Sequence, residues 1–396
     1  MARICVFDAN DSTIGIIKYA KENGHTVITC DNKKNNVGHS FADLNLFIST
    51  YDVELLRNYF KNNLVDAVIY FASAHGLYAS GQVSEFLPNK CIDKNAIKIL
   101  DEKHKFRLLL NELGLPCPQY YIVDCSADLS KSNIKLPVVV KPVDCGGNRG
   151  ITKVSNFCEL KNAVMVALQE SSSNTAIIEE FIVSDLQVNG DCVIIDSKVK
   201  CAFLGKYVYK NKFSIIPYAT VFGPDVLTDK IREKIIEQIN IIVRSSGFVN
   251  GILNVEFRID KNGVPVCIEV NPRHSGNYIW EIMSKSLGKS MQELAVEVAL
   301  NECKSNEMFC IDNKYYAYLI LFAEESGRMK GITIMPELEE FIISKRYFKQ
   351  IGDNIESFKY LRDRIALLTM VFPDKDTMES IIFEARKYYR IEVEVK

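Results

Sequence analysis

Residues 250–277, NGILNVEFRIDKNGVPVCIEVNPRHSGN, decide the fold more than any other stretch of the chain. Two strand-like runs, LNVEFRI and VPVCIEVN, flank the turn residues Asp-Lys-Asn-Gly at 260–263. Such a turn between two apolar runs is a strong signal for a β-hairpin. We therefore expect two antiparallel strands joined by a tight turn.

The register of this hairpin determines which side chains share a face. We expect Ile259 to pair with Val264. Glu256 then lies opposite Cys267, and side chains alternate along each strand. The polar residues expected on one face are Asn254, which would lie opposite Glu269, together with Glu256, Glu269 and Asn271. Two carboxylates and an amide form a hard-oxygen site suited to Mg²⁺; the alternative is a half-exposed hairpin with ordinary surface charges.

A second motif lies upstream, where an apolar strand runs through one lysine into a glycine-rich loop at 138–151, VVVKPVDCGGNRGI. Its lysine is Lys141, and its loop contains Gly146, Gly147, Arg149 and Gly150. Glycines let backbone N–H groups approach phosphate oxygens closely, and the two cations add positive charge. The segment is not a P-loop, because no Gly-Lys-Ser/Thr follows the glycines, and a glycine-rich turn alone is more often only a hairpin.

A third motif follows about thirty residues later, where the β-branched run AIIEEFI ends. Its backbone could hydrogen-bond an adenine edge. The four residues concerned are Glu179, Glu180, Phe181 and Ile182.

The order of these motifs is their most specific property. A lysine at 103, the VVVK strand with its glycine loop, EEFI and then VEF…IEVNPR resemble the ATP-grasp superfamily, which includes biotin carboxylase, carbamoyl-phosphate synthetase and D-alanine–D-alanine ligase. The resemblance extends from about residue 1 to 300. The phrases YAKENGHTVITCD, NVGHSFAD and STYD are most similar to carboxylate–amine ligases and polysaccharide-locus ATP-grasp proteins, with the pyrrolysine-pathway ligase more distant.

The resemblance implies a role for each motif. ATP with Mg²⁺ or Mn²⁺ is the implied cofactor, and Glu256, Glu269 and Asn271 are the implied metal ligands. Arg273 would stabilise an acyl phosphate and its oxyanion, and Lys141 would act with it. The nucleotide-binding residues are Lys103, Lys141, Gly146, Gly147, Arg149, Gly150, Glu179, Glu180, Phe181, Ile182, Asp185 and Lys206.

Several candidates have serious structural alternatives. Asp185 stands where relatives usually have a ribose-binding glutamate, but it is shorter and could be a surface-loop residue. Lys206 could reach a phosphate or could be an ordinary strand lysine. His75 follows the third predicted strand, at the sheet end where ligands usually bind, although a loop histidine is more often structural. The candidate substrate residues are His75, His274, Ser275 and Asn277.

Composition narrows the class of protein. The chain has 396 residues and a net charge of −2, without a basic run, so neither nucleic acid nor a membrane is an expected partner. Its 12 cysteines are scattered without a C-x-x-C pair, which is typical of reduced thiols in a cytoplasmic protein. No signal core and no apolar run near 18 residues is found, and the histidines lack zinc-site spacing. A homodimer is possible.

The predicted fold class is α/β, an ATP-grasp fold with a Rossmann-like parallel sheet at its N-terminus and an α+β C-terminal subdomain. Strands and helices alternate in the opening segment, but the loop at 8–12 lacks G-x-G-x-x-G, so a dinucleotide site is disfavoured. One long helix is expected at 94–113. The expected domains are 1–93, then an ATP-grasp domain at 94–308 with a lid at about 120–183, then an extension at 309–396.

The predicted function is an ATP-dependent carboxylate–amine ligase, acting on an amino acid or a sugar acid, that forms an amide through an acyl phosphate and releases ADP and phosphate. Two alternatives remain open. One is a bicarbonate-activating carboxylase or carbamoyl-phosphate-type enzyme, although the chain lacks a biotin-carrier A-M-K-M signature and a glutaminase domain. The other is a non-catalytic nucleotide-binding protein.

Overall fold

The computed structural model describes residues 1–88, 93–125, 134–145, 149–210, 214 and 216–395. The chain opens with a parallel sheet of four strands in the order β3-β2-β1-β4. Its elements are β1 (Arg3–Phe7), α1 (Ile14–Glu22), β2 (Thr26–Cys30), β3 (Leu44–Leu46), α2 (Val53–Asn62), β4 (Ala67–Ile69) and α3 (Ala74–Val83). The predicted Rossmann-like opening is confirmed.

Two helices follow, α4 (Lys94–Asp101) and α5 (Lys103–Glu112), where the sequence predicted a single one at 94–113. The prediction of one helix was wrong because Glu102 is extended, with ψ at 110°. The backbone N–H of Lys103 donates to Val143 of the next sheet, at 3.2 Å, instead of continuing the first helix. The break points Lys103 towards that sheet.

A four-stranded antiparallel sheet comes next, in the order β5-β8-β6-β7. Its strands are β5 (Tyr120–Val123), β6 (Val138–Pro142), β7 (Thr152–Val154) and β8 (Ala176–Glu180). The helix α6 (Phe157–Glu170) lies between β7 and β8 in the chain. The residues of α6 that face this sheet are apolar and buried, which gives the unit a core of its own. The lysine of the VVVK motif and the EEFI motif therefore lie on neighbouring strands.

The central sheet has eight strands in the order β13-β12-β9-β10-β11-β14-β18-β16. Its first part comprises β9 (Gln187–Ile195), β10 (Lys198–Tyr209), β11 (Pro217–Phe222), α7 (Asp229–Ser246), β12 (Gly251–Ile259), β13 (Pro265–Asn271), α8 (Ile279–Leu287) and α9 (Met291–Ala299). The long helix α7 ends at Gly247, whose φ of +78° is the left-handed conformation that commonly caps a helix. The predicted hairpin is confirmed as β12 and β13.

The C-terminal segment adds strands to this same sheet. It contains β14 (Tyr315–Leu321), β15 (Gly327–Ile334), α10 (Pro336–Glu339), β16 (Ile342–Tyr347), β17 (Asn354–Ile355), β18 (Ala366–Phe372), α11 (Lys375–Phe383) and β19 (Tyr389–Glu394). A small sheet in the order β17-β15-β19 is separate. The helix α11 ends at Phe383, before β19 begins at Tyr389. The expected domain boundary at 308 stays a prediction, and the central sheet is continuous across it.

One apolar core joins the N-terminal sheet to the central one. Ile16 of α1 and Leu294 of α9 belong to it, and Gln292 of α9 donates to the backbone of Ser12 at 2.6 Å. Cys267 is a free thiol in the core, and burial raises its pKa to about 12. Among the described residues, no helix is long and apolar enough to cross a membrane.

Candidate functional site

A cleft of about 900 Å³ lies where the three larger sheets meet, and most of the predicted residues line it. Those that line it are His75, Lys103, Lys141, Arg149, Glu179, Glu180, Phe181, Ile182, Glu256, Glu269, Asn271, Arg273, Ser275 and Asn277. Residues that stand far apart in the sequence thus meet in one space. Gly146 and Gly147 fall outside the described residues.

The hairpin contributes two carboxylates that lie directly opposite each other. Glu256 pairs with Glu269, and Asn254 pairs with Asn271. The predicted register was wrong, because Ile259 pairs with Pro265 and the turn is one residue longer. In that register alone, Glu269 would face the core beside Val255.

A β-bulge restores the polar face. The register shifts after Glu256, so Ile268 becomes an extra residue of β13. Cys267 and Val270, three residues apart, both remain in the apolar core. The bulge thereby places Glu269 on the same face as Glu256, which is the arrangement that the sequence predicted from a different pairing.

The surroundings of the two carboxylates shift their pKa values in opposite directions. Burial, and then the charge of Glu269, raise the pKa of Glu256, while the Tyr207 hydroxyl donates to Glu256 at 2.7 Å. Burial alone would raise the pKa of Glu269 too, but Lys103, Lys141 and Arg273 outweigh it and lower that pKa. A divalent cation between two buried carboxylates would relieve their repulsion.

The donor set fits Mg²⁺ only in part. No group of three or more His, Cys, Asp or Glu in the described ranges has metal-binding geometry. Glu256, Glu269 and Asn271 supply two carboxylates and an amide, all hard-oxygen donors. Because Mg²⁺ keeps waters and takes phosphate oxygens, such a small protein set suits a metal that arrives with a nucleotide.

Two of the three predicted lysines are held in place beside the cleft. Lys103 donates from Nζ to the carbonyl of Cys145 at 2.9 Å and lies 3.4 Å from a Glu269 oxygen. Lys141 donates to Glu179 Oε2 at 2.7 Å. Both side chains are mostly buried beside the cleft. Two cations therefore lie beside the hairpin carboxylates at the wall of the cleft, Lys103 paired with Glu269 and Lys141 with Glu179.

Arg107, which the sequence analysis missed, connects these elements. Its side chain is 1% exposed, and its Nε donates to Glu179 Oε1 at 2.8 Å. Its Nη2 donates to the carbonyl of Ile268, the bulge residue, at 2.5 Å. The spacing could have revealed it, because Arg107 lies one helical turn after Lys103 on the same face of α5.

The EEFI motif is anchored by its backbone. Glu180 N–H donates to Gln119 at 2.8 Å, and Phe181 N–H donates to Pro137 at 3.1 Å. The Ile182 carbonyl accepts from Arg258 at 2.9 Å. These bonds already use part of the backbone that was predicted to bind adenine.

The segment after the hairpin is held by Asp191, a second residue that the sequence analysis missed. Asp191 is fully buried and accepts from His274 Nδ1 at 2.8 Å, from the Asn254 amide at 3.0 Å and from Ser275 N–H at 3.2 Å. His274 packs on Phe71, outside the set of residues that line the cleft. Its position suits a role in orienting Arg273, which donates to the His274 carbonyl at 2.9 Å.

His75 lines the cleft from the first turn of α3. Its Nδ1 lies 2.6 Å from the Tyr51 hydroxyl. Burial, followed by the charges of Arg149 and Arg273, lowers the pKa of His75. The lowered pKa favours the neutral imidazole, in the same cleft as Arg149 and Arg273.

Three predicted nucleotide-binding residues do not line the cleft. Asp185 is exposed in the segment before β9. Lys206 precedes Tyr207, which does line the cleft, so alternation along β10 points the lysine to the other face. Gly150 has a φ of +66°, and a Cβ there would lie 2.8 Å from Pro142, so this position requires glycine for the backbone.

Comparisons with known proteins agree with this architecture. The family model described as D-ala D-ala ligase C-terminus matches residues 109–275. The carbamoyl phosphate synthase large chain of Caldanaerobacter subterraneus subsp. tengcongensis is 28% identical over 301 residues, which is 71% of this chain and 26% of that protein. The chain of Thermoanaerobacter pseudethanolicus with the same name is 29% identical over 52% of this chain and 19% of its own length. This chain thus spans about a quarter or less of the length of these curated relatives.

Solved structures match over the full length. The L-amino acid ligase from Bacillus licheniformis has a TM-score of 0.85 and 19% identity, covering 100% of this chain and 99% of that one. N5-carboxyaminoimidazole ribonucleotide synthetase from Thermotoga maritima has a TM-score of 0.71 and 18% identity, with both chains covered completely. At these identities the likeness shows the fold.

Proposed function

We propose, since this chain belongs to the ATP-grasp superfamily, that it is an ADP-forming ligase that joins a carboxylate to an amine. The observation that supports this most is the pairing of Glu256 with Glu269 on one face of the hairpin, in a cleft that Lys103 and Lys141 also line. Carboxylates and lysines so arranged suit the terminal phosphates of a nucleotide.

The reaction class follows from the chemistry of the substrates. A carboxylate is a poor electrophile because its charge repels a nucleophile. Transfer of the γ-phosphoryl group of ATP to it makes an acyl phosphate, which an amine attacks with loss of phosphate. When bound, Mg²⁺ would neutralise phosphate charge, and Glu256, Glu269 and Asn271 would hold it.

The chain's own residues perform the remaining work. Lys103 and Lys141 would bind phosphate oxygens, and their anchoring to Cys145 and Glu179 fixes where their charges lie. Arg273, oriented through the backbone of His274, would stabilise the oxyanion that forms when the amine attacks. Residues 179–182 would bind the adenine, and Asp185 and Lys206 are not assigned a role.

The experiment is to trap the acyl phosphate. With ATP, Mg²⁺ and a panel of amino acids and sugar acids, but no amine, hydroxylamine should yield a hydroxamate, and full turnover should release ADP and phosphate. Glu269→Gln, which removes one metal-ligand charge, should reduce turnover by about 100-fold or more while leaving the far-UV circular dichroism unchanged. Exposed Glu302→Gln is the matched control. AMP as the stoichiometric product would contradict the proposal.

A second candidate function is activation of bicarbonate. It is favoured by the likeness to the carbamoyl phosphate synthase large chain and to N5-carboxyaminoimidazole ribonucleotide synthetase. ADP release that requires bicarbonate, with no amide formed from any organic carboxylate, would support this function instead.

A further inference from the structure

The C-terminal segment also lines the cleft, with a set of cations to which no role has been given. Arg364 stands immediately before β18, and Phe348 and Lys349 follow β16. The backbone N–H groups of Phe348 and Lys349 both reach the carbonyl of Ile365, at 2.8 and 3.3 Å. These residues are therefore held side by side by the sheet.

The guanidinium of Arg364 is not neutralised by the protein. Within the part of the chain that the structure describes, its side chain has no ion pair or hydrogen bond, and its recorded partner is the Phe348 ring, 4.0 Å from guanidinium carbon to ring centre. The adjacent carboxylate of Asp363 is occupied, since it accepts from the backbone N–H groups of Lys359 at 3.0 Å and Tyr360 at 2.7 Å. Burial lowers the pKa of Arg364, and the phenols of Tyr278 and Tyr318 offset this only in part.

Two other buried or partly buried arginines are paired with carboxylates. Arg346 donates to both oxygens of Glu281, at 2.9 and 3.0 Å, and to Asp11 at 3.2 Å. Arg107 pairs with Glu179. Removing a cation from water costs free energy unless an anion accompanies it. Arg258 and Arg273, which also line the cleft, donate to the backbone carbonyls of Ile182 and His274. Arg364 has no such acceptor among the described residues, and a ligand in the cleft would best supply its missing anion.

The positive charge of the side chains that line this part of the cleft also favours binding of an anion. The cleft-lining residues that the structure describes after position 309 are Phe348, Lys349, Leu361, Arg362 and Arg364, three cations and no carboxylate. A planar guanidinium packed on an aromatic ring presents a fixed fork of donors, which matches the two oxygens of a carboxylate.

Asn277, which also lines the cleft, has a hydrogen-bond acceptor without a partner among the described residues. The Asn277 amide group donates to the Tyr318 hydroxyl at 3.2 Å, while its buried side-chain oxygen has no partner among the described residues. The same Tyr318 is close enough to Arg364 to influence its pKa. An unused acceptor and an unused cation in the lining of one cleft suit a molecule that bears both an N–H group and an anion.

We propose that Arg364 and Phe348, with Lys349 and Arg362 at the rim, form a second anion subsite that binds the carboxylate of the amine substrate. The amine substrate is therefore an amino acid, whose amino group approaches Asn277. This inference rests on the proposed ligase function and adds the chemical class of its nucleophile.

The first experiment compares each amino acid with its amide as the amine substrate, in wild type, Arg364→Met and the exposed control Arg390→Met. Wild type should use the free acid and discriminate against the amide. Arg364→Met should raise KM for the free acid by about 10- to 100-fold, the effect of losing a hydrogen-bonded charge, with KM for ATP unchanged. An amide used as well as its acid, or an unchanged KM in Arg364→Met, would overturn the subsite and leave the ligase function standing.

The second experiment needs no turnover and uses the wild-type protein. Phenylglyoxal modifies arginines whose guanidinium groups it can reach, and peptide mass spectrometry measures the extent of modification at Arg364. A mixture of the twenty L-amino acids should protect Arg364, and the mixture of their amides should not. Equal protection by both, protection by neither, or protection only by inorganic phosphate would overturn the proposal. Protection by amino acids without ADP release from any of them would keep the subsite and reject the ligase function.

Discussion

The carboxylate of Glu179 links three secondary-structure elements beside the cleft. Its carboxylate accepts from Arg107 on one oxygen and from Lys141 on the other, with only 3% of the side chain exposed. Burial alone would raise its pKa, but these two cations prevail and hold the pKa of Glu179 at about 2. A buried carboxylate shared by two cations ties α5, β6 and β8 together.

This lowered pKa predicts how stability depends on pH. A carboxyl group whose pKa is lower in the folded state stabilises the protein above its unfolded pKa, near 4.5, and loses that effect as pH falls towards 2. Glu179→Gln should therefore be destabilised most above pH 5, by on the order of 3 kcal/mol, with a difference from wild type that shrinks towards pH 2. Denaturant midpoints measured from pH 2 to 7 would test this.

Glu394→Gln is the matched control, because Glu394 is exposed and pairs with Lys330 at the surface. Surface pairs contribute little, so its denaturant midpoint should follow wild type throughout. A Glu179→Gln difference that stayed constant from pH 2 to 7 would mean that the ionised carboxylate is not what stabilises this region.

At the scale of elements, the β-bulge at Ile268 and the helix α5 depend on each other. The bulge places Glu269 beside Glu256, and its carbonyl accepts from Arg107. The same arginine holds Glu179 at the start of the EEFI motif. The strand that would hold the metal and the strand that would hold the base of the nucleotide thus share one buried anchor.

Arg107 variants should separate its charge from its geometry. Arg107→Met leaves Glu179 without one of its cations and should destabilise the protein by about 3–5 kcal/mol. Arg107→Lys keeps the charge but cannot bond both Glu179 and Ile268 as the fork does, so stability should recover more than turnover. Thermal melting would measure the change in stability. ADP release titrated with Mg²⁺ would measure the change in turnover, including the Mg²⁺ concentration for half-maximal release. Full recovery of both in Arg107→Lys would reduce the role of Arg107 to charge alone.

At the scale of the whole molecule, the cleft lies between units that have separate cores. Lys141 comes from the four-stranded sheet and Glu269 from the central sheet. A nucleotide in contact with both would bridge the two units. Binding should therefore raise the melting temperature, by an amount equivalent to about 2.7 kcal/mol at a ligand concentration 100 times Kd.

Lys141→Ala should weaken this effect. We expect a higher Kd for a non-hydrolysable ATP analogue, by about 10-fold or more, and a smaller rise in melting temperature, because a charge-assisted phosphate contact is lost. Lys206→Ala is the natural comparison, since the sequence predicted a phosphate role that its position on β10 does not favour. Isothermal titration of both variants would decide, and equal affinities for the two would return Lys141 to a structural role.

The amino-acid sequence was sufficient for features that depend on local order. The parallel opening sheet and the β12–β13 hairpin follow from alternation and turn residues, which act over short segments. The meeting of Lys103, Lys141, Glu256 and Glu269 in one cleft was implied by the resemblance of the motif order to the ATP-grasp superfamily. The break at Glu102 could not be read from local order, because it depends on a hydrogen bond to a distant segment.

Only the tertiary structure decided what depends on distant partners. A bulge and a longer turn shift the hairpin by compensating amounts, so the sequence predicted the correct polar face from an incorrect pairing. Arg107 and Asp191 look like ordinary helix and strand residues until Glu179, Ile268 and His274 are placed beside them. Alternation along a strand determines on which face a side chain lies, whereas the fold alone determines which charges meet on that face. The physical reason is that a buried charge is stable only where the fold has brought its partner beside it.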